Sequence, residues 1–444
     1  MSGSNRRKLD VVIAGGGIAG ASSAIFLSSL EGVNVTILES RSRRSTSVEG
    51  GILMLGPNGM NVMKGLSVSA HLLARPNITQ VAWLTIVDSA GAFIGKVPQG
   101  SVARYGFPST LASRWDILEV LLDEVERRRI PIKWSSKVIG LKQKDDGVVV
   151  QWTENGIQYE KCADLLIGAD GIWSSVRTLM YQELNLPIPK PRYSGLLGIG
   201  GFVDTTEVPG IYDYLSAERP VVMIQGRNGF IGLTLVGTDV KRIGWWSTYE
   251  AADRSREEWN IPREETFKEL NRRFSTWAYP VPQVLAVAER PSTEAPLLWP
   301  ISEVEGLPRW HNHGQVVLIG DAAHAMPPHS GQGASQAMED AAYLGYLIRQ
   351  CMSPSKDPGA PNIPDVKSAL SALQKAREDR VGHIVAEANR RGDGKRDISA
   401  FGMFIKKWSM KLIFAFMSES WMDGWFGYQV PGIGEWEKLR KSAA

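Results

Sequence analysis

The hydrophobic pattern at the start of the chain predicts a strand, a turn, a helix and a second strand. Leu9–Ala14 is apolar apart from Asp10 and runs into three glycines. Small and apolar residues over positions 18–30 recur at the spacing of a buried helix, and Val33–Leu38 is a second β-branched run. These elements form a βαβ unit, which predicts a parallel sheet covered by helices.

Further along, the pattern separates two kinds of sheet. Apolar runs at residues 165–167 and 316–319 predict two more strands of the parallel kind. Between residues 193 and 288, short β-type segments punctuated by glycine predict a separate, mostly antiparallel sheet. Helical periodicity predicts helices over residues 115–128, 333–349, 366–388 and 398–422. The chain therefore predicts an α/β fold with a second, β-rich unit and a helical C-terminal region.

The turn after the first strand carries the spacing of a dinucleotide-binding motif. Gly15, Gly17 and Gly20 follow the strand and open the helix. Their positions suit a tight turn, close approach of a pyrophosphate, and close packing of the helix on the sheet. Glu39, at the end of the second strand, is placed to bind ribose hydroxyls, and its charge favours FAD or NAD over NADP. A glycine turn without a ligand is the alternative.

Two later strands also end in aspartate. One ends at Asp170, a position that is equally consistent with a plain acidic turn. The other ends at Asp321, whose carboxylate can accept a hydrogen bond from a polyol hydroxyl. Gly331, Gln332 and Gly333 then lead into a helix, and their amides form a concavity suited to a developing anion, such as the N1–C2 edge of a reduced flavin.

These segments, in this order, resemble the FAD-dependent monooxygenases of the para-hydroxybenzoate hydroxylase class, the group A flavoprotein hydroxylases. The resemblance covers most of residues 8–350. It implies a Rossmann-type FAD-binding domain of the GR2 kind, an inserted, mostly antiparallel substrate domain, and C-terminal helices. It also implies non-covalent FAD, with NADPH or NADH and O₂ as co-substrates. In this class a flavin C4a-hydroperoxide delivers one oxygen atom to an electron-rich carbon.

The resemblance also assigns site residues. It places Glu39 at the adenosine ribose, Arg114 at the ribityl–pyrophosphate region, and Asp170 near the pyrophosphate and the nicotinamide approach. Catalysis is centred on the flavin, with the main chain of Gly331, Gln332 and Gly333 near its anion and Gly50, Gly51 and Ile52 beside its ring. The expected FAD contacts are Gly15, Gly17, Gly20, Glu39, Gly51, Ile52, Arg114, Asp170, Asp321, Gly333 and Ala334.

The same resemblance divides the chain into six segments. Three of them form the FAD-binding domain, two form the substrate domain, and the last is helical. The expected order is residues 1–74 (FAD-binding), 75–102 (substrate-domain strands), 103–182 (FAD-binding), 183–292 (substrate-binding sheet), 293–352 (FAD-binding) and 353–444 (C-terminal helices).

One departure from the class bears on the substrate. Many aromatic hydroxylases of the class carry an arginine five residues after a Tyr-Ser/Thr-Gly segment, where it holds a phenolate or acidic substrate. Here the segment beginning at Tyr193 is followed by Gly200 at that position. The pattern resembles the branch of tetracycline-inactivating monooxygenases and zeaxanthin-type epoxidases. We therefore expect a bulky, largely apolar aromatic, polycyclic or isoprenoid substrate of secondary metabolism, contacted by Phe202, Gln225, Trp245 and Trp246.

Composition and charge narrow the function classes. The 444 residues carry 50 Lys and Arg against 47 Asp and Glu, a formal charge of +3, which gives no case for a nucleic-acid binder. Cys162 and Cys351 alone cannot form a disulfide framework or a thiolate metal cluster, and no metal is expected. No apolar segment resembles a signal peptide or a membrane-spanning helix, so we expect a soluble, cytoplasmic protein.

Several alternatives stay open at this point. A flavin dehydrogenase or oxidase would share every FAD motif, and a protein that holds FAD only as structure is a second alternative. The sequence does not decide whether the reductant is NADH or NADPH, whether the reaction is a hydroxylation or an epoxidation, or what the oligomeric state is. Peripheral membrane contact is a hypothesis about location, with Trp408, Phe414, Phe416, Trp421 and Trp425 as its candidate residues.

Overall fold

The computed structural model describes residues 8–43, 51–237, 241–255, 257–352 and 366–436, so Gly50 lies outside the described residues. The strands are β1 (Leu9–Ala14), β2 (Val33–Leu38), β3 (Ile52–Leu55), β4 (Thr79–Val81), β5 (Trp83–Asp88), β6 (Phe93–Pro98), β7 (Ser109–Ser113), β8 (Ile132–Lys133), β9 (Ser136–Lys144), β10 (Gly147–Glu154), β11 (Ile157–Ala163), β12 (Leu165–Gly168), β13 (Arg192–Asp204), β14 (Val221–Gly226), β15 (Gly229–Val236), β16 (Arg242–Glu250), β17 (Leu297–Glu303) and β18 (Val316–Leu318). The helices are α1 (Ile18–Ser28), α2 (Pro57–Gly65), α3 (Ser69–Leu73), α4 (Val102–Tyr105), α5 (Arg114–Arg127), α6 (Ser175–Glu183), α7 (Ile211–Tyr214), α8 (Arg263–Phe274), α9 (Val281–Glu289), α10 (Asp321–His324), α11 (Gly333–Met352), α12 (Val366–Asp393), α13 (Ala400–Phe416) and α14 (Asp423–Phe426).

The βαβ unit forms the centre of a five-stranded parallel sheet in the order β18-β12-β1-β2-β8. Val11 and Ile13 of β1 lie in one apolar cluster with residues of α1, α5 and α11, whereas Val12 lies in a second cluster on the other face. Both faces of β1 are therefore buried, as is typical of a central strand in a parallel sheet. The predicted α/β class is confirmed, and the carboxyl ends of β1, β2, β12 and β18 share one edge.

A seven-stranded sheet in the order β17-β13-β16-β15-β14-β5-β6 forms the β-rich unit. Its pairs are antiparallel except β14 with β5, so the predicted mostly antiparallel sheet is confirmed. The predicted boundary after residue 292 comes one strand too early, because β17 is hydrogen-bonded to β13. β4 lies within residues 75–102, which were expected to form substrate-domain strands, but it pairs with β7 in a small sheet with β3. Helices α8 and α9 cover one face of the large sheet.

The C-terminal region consists of two long helices followed by short turns. Instead of one helix over residues 398–422, α13 begins after Ser399, whose hydroxyl accepts from the Gly402 N–H at 3.0 Å, and it ends at Phe416. A 3₁₀ turn follows the break, where the Ser418 and Ser420 hydroxyls lie 2.7 Å apart. Serine favours turns over helix interiors because its hydroxyl competes for the backbone. Within the described ranges, no helix combines the length and apolar content needed to cross a membrane.

Candidate active site

The glycine turn between β1 and α1 leaves one side open. Gly15 has φ +102°, and a Cβ on it would lie 2.4 Å from the Ala169 carbonyl oxygen, so only glycine fits there. A Cβ on Gly20 would lie 1.9 Å from the Gly15 carbonyl oxygen, which explains the close packing of α1. Gly17 differs: no atom lies within 4 Å of its Cβ position, and no side chain caps the helix that it begins. The first amides of α1 therefore face open space.

Glu39 connects the end of β2 to this turn. One carboxylate oxygen accepts from the Gly16 N–H at 2.7 Å, and the other accepts from the Arg41 N–H at 2.8 Å. The residue is buried. Because an ionised carboxylate can accept about four hydrogen bonds, Glu39 retains capacity for a ligand hydroxyl beside the turn.

Arg114 and Asp321 begin α5 and α10, and the fold brings their charges together. Both side chains are exposed to solvent. Nevertheless, desolvation by the surrounding protein lowers the pKa of Arg114 and raises the pKa of the Asp321 carboxyl. The charge of Arg41 also lowers the pKa of Arg114, while Asp321 and Glu39 oppose it. Both groups therefore lie in a cleft, which solvent reaches although protein surrounds it. Neither group has a hydrogen-bond partner among the described side chains.

Asp170 lies beside the glycine turn but is engaged by its own helix. Its carboxylate accepts from Ser174 Oγ at 2.5 Å, from the Ser175 N–H at 2.7 Å and from the Val176 N–H at 3.1 Å. Burial raises the pKa of the carboxyl, and these hydrogen bonds oppose that rise. A Cβ on Gly15 would lie 3.0 Å from the Asp170 Cα. Asp170 therefore holds the α6 N-terminus against the turn, and its contact with a nucleotide stays a prediction.

The predicted flavin-contact segments also come together. Gly331 has φ +65°, and its Cβ position lies 3.4 Å from Met54 Cε of β3, the strand that Ile52 begins. Nothing lies within 4 Å of the Cβ positions of Gly51 and Gly333. Ala334, the second residue of α11, is half-buried against the main core. The start of α11 and the start of β3 thus leave open backbone next to each other.

A buried polar network behind this turn was not predicted. The Gln332 Oε1 accepts from Asn58 Nδ2 at 2.9 Å, and Asn58 Nδ2 also donates to Glu339 Oε1 at 2.6 Å. Arg377 of α12 is fully buried and donates to Glu339 Oε2 at 2.5 Å and to Asp340 Oδ1 at 2.8 Å. The sequence signal was the acidic pair Glu339–Asp340 inside a largely apolar helix. The network ties the Gln332 turn to α12.

The residues around the open backbone fit FAD. Free amides at the N-terminus of α1 suit a pyrophosphate, and the Glu39 and Asp321 carboxylates suit ribose and ribityl hydroxyls. The Arg114 guanidinium supplies a cation between them, and the Gly333 amide offers a donor at the start of α11. The other two predicted donors are already engaged, since the Gly331 N–H donates to the Pro328 carbonyl at 3.1 Å and the Gln332 N–H donates to Ser330 Oγ at 3.3 Å. Neither Arg114 nor Asp321 has a hydrogen-bond partner among the described side chains, and this observation favours a bound group, since charged side chains in a cleft need partners.

Trp245 and Trp246 lie on opposite faces of the seven-stranded sheet, because consecutive strand residues alternate. Trp245 is 1% exposed and packs on Phe267 of α8 with ring centroids 6.5 Å apart. Trp246 lies on the other face, with its ring 6.5 Å from Phe230. Ile52 lies against that face too, since its Cδ1 is 2.3 Å from the Cβ position of a glycine in β16. The expected substrate contact of Trp245 is therefore wrong: it belongs to the core under α8.

The face that carries Trp246 is covered by α13, which sequence analysis did not connect to the site. Phe414 lies so close to Gly95 of β6 that a Cβ there would be 2.6 Å from the Phe414 Cβ. Apolar residues spaced by four and three positions on α13 were the available signal. Met410 and Phe414 of α13, and Met417 directly after it, pack on this face together with Trp246, Ile52, Met54 and Met223 of β14.

Phe202 lies on the same face of the sheet as Trp246, because it pairs with Gly244, two residues before Trp246 on β16. It lines a cavity of about 230 Å³ together with Ile52, Leu111 and Trp115. The Arg242 guanidinium lies 4.2 Å from the centre of its ring. Phe202 and Ile52 of the predicted flavin-contact segment therefore line the same cavity.

Gln225 marks a polar end of the Trp246 face. Its side chain is buried, and Lys406 Nζ of α13 donates to Gln225 Oε1 at 3.1 Å. Lys395, in the segment after α12, has its Nζ 4.2 Å from the centre of the Phe230 ring. These contacts bring two lysines of the C-terminal region to the end of an otherwise apolar surface.

Lys395 and His329 form a direct contact at this end. Lys395 Nζ lies 2.9 Å from His329 Nδ1. Burial lowers the pKa of Lys395 to about 7, and the charges of Arg391 and Lys406 act in the same direction. Burial likewise lowers the pKa of His329 to about 2, so the imidazole is neutral and its Nδ1 accepts the hydrogen bond. No carboxylate in the described ranges pairs with Lys395, which leaves this amine free to bind a ligand oxygen.

Comparison with known proteins identifies a family and several similar proteins. The profile of the family described as FAD binding domain matches residues 8–355. Aurachin C monooxygenase/isomerase of Stigmatella aurantiaca is 30% identical over 407 residues, covering 91% of this chain and 94% of its own. A salicylate hydroxylase of Pseudomonas putida is 28% identical over 410 residues, covering 87% and 86%. The structure of Klebsiella pneumoniae HpxO with FAD and uric acid shares the fold, with a TM-score of 0.74 at 22% identity over 97% of both chains.

Proposed function

Because the chain belongs to the FAD binding domain family and is an FAD-dependent monooxygenase, we propose that it inserts one oxygen atom from O₂ into a bulky, largely apolar small molecule, using NAD(P)H as the reductant. The names of its relatives support hydroxylation or a related oxygen insertion, since one is named aurachin C monooxygenase/isomerase and another salicylate hydroxylase. The apolar face around Trp246 carries the proposal for the substrate class.

The cofactor chemistry and the protein's part in it are distinct. FAD, when bound, supplies the hydride acceptance and the activation of O₂. The residues that would hold it are the α1 amides behind Gly17, the side chains of Glu39, Arg114 and Asp321, and the Gly333 amide. Donors fixed at the start of α11 are positioned to stabilise negative charge without reorganising.

The substrate would lie between the Trp246 face and α13. Trp246, Met223 and Phe230 offer rings and thioethers, whereas Met410 and Phe414 of α13 close the opposite side. Such walls bind an apolar ring system or chain and exclude water from the reacting carbon. Ile52 joins this surface to the predicted flavin-contact segment, so a ligand lying here is next to the FAD site.

Lys395 would orient the polar end of the substrate. At neutral pH an amine with a pKa of about 7 is present in both protonation states, so Lys395 Nζ can donate to a carbonyl or accept the proton of a ring hydroxyl. Loss of that proton raises the electron density of the ring carbons, which favours oxygen insertion there. His329 Nδ1 fixes the position of the amine.

Isotopic oxygen tests this proposal. The purified flavin-loaded enzyme is given NADPH or NADH, ¹⁸O₂, and a set of alkylated phenols and hydroxyquinolines, with salicylate as the small acidic comparison. We expect one ¹⁸O atom in each product molecule and faster turnover of the bulky compounds than of salicylate. Consumption of NAD(P)H that returns all the oxygen as H₂O₂ with every compound would favour the oxidase alternative.

A further inference from the structure

We propose that the exposed face of α13 docks on the surface of an anionic lipid bilayer. Six large apolar side chains occupy helix positions i, i+3, i+4, i+7, i+11 and i+15, so they form one continuous stripe. Between 49% and 74% of each of these residues is exposed. The α13 stripe consists of Phe401, Phe404, Ile405, Trp408, Leu412 and Phe416.

Both sides of α13 are apolar, and the protein covers only one of them. Met410, Phe414 and Met417 lie on the side that packs over Trp246 and the large sheet. None of the residues of α13 is buried. A surface helix of a globular protein normally has one apolar face and one polar face. The α13 stripe therefore needs a second partner, because a contiguous exposed apolar surface marks an interaction site.

The chemistry of the stripe favours lipid. Four of its six side chains are aromatic, and residues 400–418 include three lysines and no Asp or Glu. Lys411 lies at the edge of the stripe, with its Nζ 5.1 Å from the centre of the Trp408 ring. Aromatic rings with a lysine at the boundary are typical of a helix lying in the membrane interface, where the amine reaches anionic headgroups.

A second copy of the chain fits the same surface less well. In a two-fold symmetric pair the same residues meet each other, and Lys411 lies beside the stripe about halfway along its length. Such a pair would bring two lysines together with no acidic residue between positions 400 and 418 to compensate them. A bilayer avoids this cost, because its headgroups supply the opposite charge.

The position of α13 gives the contact a functional consequence. The helix separates the lipid-facing stripe from the Trp246 face by its own thickness, roughly 10 Å. An apolar ligand dissolved in the bilayer would therefore enter beside α13 without crossing water. Docking itself does not depend on which substrate the enzyme oxidises.

Vesicle flotation tests the docking directly. The flavin-loaded protein is mixed with phosphatidylcholine vesicles and with vesicles that also contain phosphatidylserine, and the floated fraction is measured. We expect flotation with the anionic vesicles, weakened by salt. Leu412→Glu should lower the partition coefficient at least about tenfold, because it removes an apolar side chain that would be buried in the bilayer and adds a charge. Lys411→Gln should lower it about fivefold on anionic vesicles only.

Ile157→Glu is the matched control, since Ile157 is 60% exposed on β11 of the small antiparallel sheet. It should float like the wild type, and all variants should keep the flavin content and the melting temperature of the wild type. Wild-type protein that stays unbound with anionic vesicles would overturn the proposal. If, in addition, Leu412→Glu turned a dimer into a monomer in solution, the stripe would be an interface between two copies.

Discussion

The candidate FAD site and the Trp246 face meet at Ile52 but are built in different ways. The candidate FAD site lies at one edge of the parallel sheet and consists largely of backbone at the ends of strands and the starts of helices. The Trp246 face consists of side chains from β14 to β16, α13 and the Lys395–His329 contact. Backbone sites follow local motifs, whereas side-chain surfaces depend on which elements the fold brings together. Local motifs in this sequence therefore predict the cofactor, whereas they do not predict the substrate.

Among the variants, Gly17→Val is expected to have the largest effect on FAD binding. Nothing lies within 4 Å of the Gly17 Cβ position, so valine should not disturb the protein but should block the approach of the pyrophosphate. Losing hydrogen bonds to a charged group should weaken FAD binding about 100-fold or more. Flavin absorbance after reconstitution measures this, with Gly382→Val, an equally open position on α12, as the control. Full flavin content in Gly17→Val would contradict our placement of the pyrophosphate.

The two tryptophans test the assignment of the sheet faces. Trp245→Ala should lower the free energy of unfolding by about 3–5 kcal/mol, since it empties a site packed against Phe267. Trp246→Ala, one residue further on, should cost less stability and mainly raise the KM for the organic substrate. Denaturant unfolding and steady-state kinetics of the two variants make the comparison. The reverse pattern would mean that the substrate lies on the α8 side of the sheet.

Asp321→Asn should lower the affinity for FAD without lowering the stability of the protein. The carboxylate is surrounded by protein without a hydrogen-bond partner in the described ranges, so its pKa is raised by desolvation. When folding raises the pKa of a carboxyl, the folded protein loses stability as the pH rises through that pKa. The variant with the neutral amide should therefore be at least as stable as the wild type at pH 7. FAD affinity should nevertheless fall about tenfold, because a charged acceptor is lost. Thermal unfolding of the apo-protein and flavin titration test both parts; a less stable variant with unchanged affinity would make Asp321 structural.

The smallest effect is expected from Lys395→Met, which should leave the FAD site intact. In the wild type the amine becomes neutral as the pH rises through about 7, so kcat/KM for a hydroxylated substrate should rise across that range. Lys395→Met should lower kcat/KM several-fold and flatten this pH profile while keeping the wild-type flavin content. Lys406→Met is the comparison: it should keep the rise in kcat/KM but move it to higher pH, because the Lys406 charge helps to lower the pKa of Lys395. A profile that keeps its rise in Lys395→Met would exclude the amine as the titrating group.

The sequence predicted what depends on local patterns. β1, β2 and the turn containing Gly15, Gly17 and Gly20 follow from periodicity and glycine spacing, and the structure matches them. Alternation along a strand places Trp245 and Trp246 on opposite faces of the sheet, but it does not show which of the two faces is the core. Lys395 meets His329 only through the packing of the C-terminal region on the sheet, for which no local signal exists.

The visible absorption spectrum of the purified protein tests the central claim most directly. It is recorded after incubation with FAD and removal of free flavin, then without oxygen after adding NADPH or NADH and a candidate substrate, and finally in air. We predict bound flavin bands that bleach with the reductant and return with oxygen. A protein that remains colourless after incubation with FAD, although it is folded, would contradict the assignment of the cleft at Arg114 and Asp321 to the cofactor.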